Sequence, residues 1–112
     1  MEITYASSQV QKLCLDRLFM RRRLGPRVAA ALMVRLDDLA AAANLGQLSL
    51  VPGARPHALA GDRAGEFAVD LPGGMRLVFV PAHDPPPMEE GGGLDLRAVT
   101  AVEIIEVVDY HG

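Results

Sequence analysis

At 112 residues, half of them apolar, the chain is long enough for one hydrophobic core and too apolar to stay disordered. No apolar run reaches the ~18 residues of a membrane span, and the opening "MEITYASSQV" lacks the basic-then-apolar layout of a secretory signal. A formal net charge of −3 speaks against a general nucleic-acid coat protein, and the single cysteine, Cys14, leaves no internal disulfide and fits a reducing cytoplasm.

"EITY" (2–5) reads as a short strand. Ser7 or Ser8 then caps a helix, because a serine oxygen accepts from an otherwise orphaned backbone N–H. Val10, Leu13, Cys14 and Leu18 recur at helical spacing until "LGP" (24–26) interrupts them. Pro26 is suited to open a second helix, "RVAAALMVRLDDLAAAANL", with Val28, Leu32, Leu36, Leu39 and Ala43 along one face and Asn44 and Gly46 as stop residues. So short a link predicts an antiparallel helix hairpin. Past residue 50 the chain turns to strands. "VPGARPHALAGDRAG" (51–65) is rich in turn formers, with a short strand expected around His57–Ala60. "EFAVDL" (66–71) alternates, "PGG" turns and "MRLVFV" (75–80) returns, which predicts a β-hairpin. "PAHDPPPMEEGGGLD" (81–95) is a long polar loop with polyproline character. "AVEIIEVVDY" (101–110) is apolar on both faces at 104–105 and 107–108, as an inner strand would be. The expectation is one α+β domain over 1–112: an N-terminal strand, a two-helix hairpin, then a three- to four-stranded, mostly antiparallel sheet with the helices on one face.

Residues able to carry chemistry come from three places: His57, Arg76, and the closing triplet Asp109, Tyr110 and His111. Gathered at one rim of the sheet, they would suit RNA cleavage without a metal. A base takes the ribose 2′-OH proton, a cation stabilises the phosphorane, and an acid protonates the departing 5′-oxygen. Histidine serves as base or acid near neutrality, and the planar fork of arginine matches phosphate oxygens. Structural roles stand beside each of these: a loop anchor for His57, a cross-hairpin pair with Asp70 for Arg76, a polar chain end for the triplet. Arg21, Arg22 and Arg23, near Arg17 and Arg27, form either a solvated helix end or a contact for RNA phosphates or an acidic partner. The first half carries them: residues 1–63 hold nine Lys and Arg against five Asp and Glu, residues 64–112 two against nine. Cys14 falls on an apolar helix face and reads as core. His83–Asp84 lacks metal-ligand spacing, and "GDRAG" and "PGG" match no phosphate or dinucleotide loop, so no metal or cofactor is expected.

With "LVPGARPHALAGDRAGEFAVDLPGGMRLVF" (50–79) and "VEIIEVVDYHG" (102–112), the chain resembles the RelE/ParE superfamily of bacterial toxins, and within it the HigB-like branch. The shared pattern is a His–x–Leu–x–Gly stretch, then Gly and an aromatic, then a strand Arg followed by an aromatic, then Asp-Tyr-His. The resemblance implies a type II toxin–antitoxin toxin with a RelE-like fold: a ribosome-dependent mRNA endonuclease without cofactor, held in check by a cognate antitoxin, with the ribosome and mRNA as further partners and no membrane. It also implies roles. His57 and His111 would flank the scissile phosphate, with base and acid unassigned; Arg76 would stabilise the phosphorane; Asp109 and Tyr110 would orient RNA or assist His111. Arg21, Arg22, Arg23 and Arg63 are the candidate RNA contacts. Two departures stand out, since relatives commonly carry a Lys at the position of Ala60 and often a basic residue at Ala64. Losing those cations leaves open a binding protein without catalysis, directed at an antitoxin or, in the ParE manner, at DNA gyrase.

Overall fold

The computed structural model describes residues 1–110, and the fold is α+β as the sequence predicts. Strand β1 (Glu2–Tyr5) leads to helix α1 (Ser8–Leu15), capped by Ser7, whose Oγ accepts from the Val10 N–H at 3.2 Å. The expected continuous first helix is split. At Asp16 the backbone leaves the helical region, and its carboxylate accepts from the Phe19 N–H at 3.1 Å, capping a new helix α2 (Arg17–Leu24). An aspartate offers the backbone this competing partner, which is why it favours helix starts over interiors. Leu18 consequently swings out to 60% exposure instead of continuing the apolar stripe.

Gly25, at φ +82°, reverses the chain, and Pro26 opens α3 (Pro26–Ala41), which buries Ala29, Leu32 and Leu39. This helix ends at Ala41, short of both expected stop residues: Gly46 lies inside the next helix, and it is Asn44 that starts that helix. Its side chain accepts from Gln47 N–H at 2.9 Å and caps a short helix α4 (Leu45–Leu48) that drives Leu45 and Leu48 into the core.

The strands β2 (His57–Ala58), β3 (Phe67–Asp70), β4 (Met75–Pro81) and β5 (Ala101–Asp109) join β1 in one five-stranded sheet of order β1-β5-β4-β3-β2. All pairs are antiparallel except β1 with β5, so the final strand is interior, as its two-sided apolar pattern predicts. The β3–β4 hairpin turns through Gly73 and Gly74 at φ +70° and +74°, a region that glycine reaches without strain. One face of the sheet carries Val69, Leu77, Phe79, Val102 and Ile104, which pack with Cys14, Met20, Leu32 and Leu39 of the helices into the core. The other face, which carries Ala68 and Val78, lies outside that core cluster. A bulge decides which side chains reach that face. Phe79 pairs with Ile104 but Val78 pairs with Glu106, leaving Ile105 extra, so Glu106 and Val108 share the open face while Val107 turns to the core.

Candidate active site

Register builds the site in two rows across the open face. His57, Ala68, Val78 and Glu106 form one row; Asp70, Arg76 and Val108 form the next. Neighbouring rows lie close enough for long side chains to meet diagonally. His57 uses this reach: its Nε2 lies 3.1 Å from Oδ2 of Asp70. The other oxygen of the same carboxylate, Oδ1, lies 3.1 Å from Nε of Arg76. Asp70 therefore bridges the imidazole and the guanidinium with one oxygen for each.

Tyr110 completes the group. Its N–H donates to Gly74 O at 3.0 Å, fastening the end of β5 to the hairpin turn, and its ring lies 4.4 Å from the Arg76 guanidinium carbon. That stacking is a cation–π contact and fixes the plane of the fork. Asp70, Leu71, Gly74, Met75, Arg76 and Tyr110 line an open cleft of about 420 Å³. The cleft thus holds an arginine, one third exposed and paired with Asp70 at its Nε, beside a half-exposed imidazole. Such a set can grip an anion and move a proton next to it.

Of the residues singled out in the sequence, His57, Arg76 and Tyr110 come together here. Asp109 does not join them: it pairs with Met75, on the side of the sheet that Leu77 and Val107 occupy. His111 lies outside the described residues. Asp70 was legible only as a partner for Arg76; its second contact, to His57, depends on β2 pairing with β3 from thirteen residues away.

The basic candidates separate. Arg21, Arg22 and Arg23 fall in the last turn of α2. Arg23 and Lys12 both approach the Phe19 ring, at 5.3 and 4.5 Å from its centroid, in a second groove of about 570 Å³ that reaches Glu106 and Val107 on β5. Arg63 is engaged within the fold. Its Nη2 lies 2.6 Å from Glu66 Oε1 and its Nη1 2.7 Å from Glu106 Oε1. These hydrogen bonds, to Glu66 first and then Glu106, raise the guanidinium pKa above its ordinary value. Arg63 thus spans β4 on the open face, where Ala68 and Val78 are fully buried. Among the described residues no three of His, Cys, Asp and Glu gather as a metal centre would need, and no helix is long and apolar enough to cross a membrane.

The architecture is that of a known toxin fold. A YoeB/ParE toxin from Agrobacterium tumefaciens superposes with a TM-score of 0.51 over 98% of this chain and 99% of that one, at 18% sequence identity. No family model matches the chain, and no curated protein does.

Proposed function

We propose that this chain is the toxin of a type II toxin–antitoxin pair, of the HigB-like branch of the RelE/ParE superfamily, and that it cuts mRNA on the ribosome. The observation that carries this reading is the open cleft that Arg76 and Tyr110 line, with His57 joined to it through Asp70. In the proposed reaction the ribose 2′-oxygen loses its proton and bonds to phosphorus as the bond to the 5′-oxygen breaks. One of His57 and His111 takes the first proton, and the other supplies the one that the 5′-oxygen receives. Arg76 stabilises the phosphorane through its outer nitrogens, with Tyr110 holding the plane of the fork. Asp109 orients the RNA or assists His111. Arg21, Arg22 and Arg23 dock on ribosomal phosphates, and Arg63 adds to RNA contact only where phosphate displaces its carboxylates. No metal takes part, the site of action is the cytoplasm, and a cognate antitoxin is the inhibitor.

A second reading has its own observation. Arg63 is held by two glutamates and positions 60 and 64 are alanines, which leaves this rim short of cations. The alternative is a catalytically weak protein that acts by binding an antitoxin or DNA gyrase. Inducing the chain alone in a bacterial host, with primer extension on a reporter mRNA, separates the two. Cuts within codons that vanish when the reporter's start codon is mutated support the endonuclease. Intact message together with supercoiling defects supports gyrase binding.

A further inference from the structure

We infer that Asp70 is a positioning residue, which sets the tautomer of His57 and the orientation of Arg76 through one carboxylate; the consequence for RNA cleavage rests on the function proposed above. A carboxylate only accepts, so the nitrogen facing it must carry hydrogen. With Oδ2 at 3.1 Å from Nε2, the neutral His57 ring holds its proton on Nε2 and keeps the lone pair on Nδ1. Nδ1 makes no hydrogen bond to another described residue and is the nitrogen left to exchange a proton with substrate. The other oxygen, Oδ1, pairs with Arg76, whose Nε lies 3.1 Å away, and so holds the guanidinium at the cleft from its inner side. Aspartate alone, among residues of its size, accepts from both partners at once. Asparagine has one acceptor and one donor, so it satisfies either His57 or Arg76 and opposes the other.

The molecule contains an internal contrast. His83 Nε2 accepts from the Thr100 N–H at 3.1 Å, so that ring must carry its proton on Nδ1. Nitrogen-15 imidazole spectra of the full chain, recorded where the rings are neutral and assigned with His57→Gln and His83→Gln, are expected to reveal opposite tautomers at the two positions. Asp70→Ala, which leaves no acceptor at this position, is expected to return His57 to the tautomer mixture of an unpartnered imidazole and leave His83 unchanged. A proton on Nδ1 of His57 in the parent chain, or a tautomer ratio unchanged in Asp70→Ala, would overturn the inference.

Cleavage of mRNA on purified ribosomes gives the second readout. Asp70→Asn is expected to lower kcat about 10- to 100-fold, less than the ~10²–10⁴ that a general base supplies, with KM unchanged or lower because a negative charge beside the phosphate is gone. Faster cleavage by Asp70→Asn would make Asp70 a competitor for phosphate and refute the positioning role. Opposite tautomers in a parent chain that cuts no RNA would remove the endonuclease reading and uphold the positioning of His57, since the spectra are independent of RNA chemistry.

Discussion

Two charged clusters sit side by side on the open face of the sheet, built on opposite plans. Around Asp70, one anion is shared by an imidazole and a guanidinium; around Arg63, one cation is shared by Glu66 and Glu106. The first leaves cationic capacity over and borders a cleft, whereas the second is fully committed and carries a net negative charge. Chemistry with an anion belongs to the first plan, and holding strands together belongs to the second. Beneath both lies a closed face whose fully buried side chains are all apolar, so the core and the candidate site lie on opposite sides of one sheet.

The largest expected effect falls on the closed side. Phe79 is fully buried in the middle of β4, stacked at 6.1 Å on Phe67. Phe79→Ala is expected to cost about 3–5 kcal/mol in chemical denaturation. A loss under 1 kcal/mol would show that the closed face does not carry the fold. Arg76→Ala tests the opposite side. It is expected to slow RNA cleavage about 10²–10³-fold, the effect of removing one preorganised stabiliser of transition-state charge. Its ion pair is exposed, so stability should change by less than about 1 kcal/mol. Equal losses in both measurements would erase the division between the two faces.

The division was partly legible in the sequence. The 3.6-residue spacing in α3 and the alternation in β3 give the core face directly, and the β3–β4 turn brings Asp70 opposite Arg76. The bulge at Ile105 was not legible, because "IIEVV" is apolar in either phase, and it decides that Asp109 parts from Arg76. Asn44 reads as a stop residue and the apolar spacing runs past Asp16 without a mark, although short polar side chains also start helices, as both do here. The parallel pairing of β1 with β5 joins the two ends of the chain, beyond any local pattern. The cleft's histidine and arginine were legible as chemistry; the carboxylate that joins them required the register of a two-residue strand.

Cys14 gives a smaller effect on the closed side, with a defined sign. Burial pushes its thiol from 9.0 up to about 11. Below pH 9 the thiol is protonated in folded and unfolded chains alike, so it favours neither. Between pH 9 and 11 the unfolded chain ionises first, and stability falls by about 1.4 kcal/mol per pH unit from this group. Cys14→Ala should flatten that slope, measured by urea denaturation across the window, while costing some packing at all pH values. An unchanged slope would place the thiol in contact with water.

The smallest effect bears most directly on the two clusters. Arg63→Met keeps an unbranched apolar stem over Ala68 and Val78 but removes both ion pairs and leaves Glu66 and Glu106 uncompensated. Exposed pairs contribute about 0.2–1 kcal/mol each, so the loss should be near 1 kcal/mol, a fall in Tm of about 4–8 °C for a domain of this size. Added salt should shrink that difference, because screening weakens the pairs in the parent chain and the repulsion in the variant together. If Arg63 serves only the fold, RNA cleavage by the folded variant stays within about twofold of the parent, far from the loss of a charge-stabilising group. A drop beyond tenfold at unchanged Tm would mean that phosphate does draw Arg63 away from its glutamates, and the two clusters would then act as one RNA-binding surface.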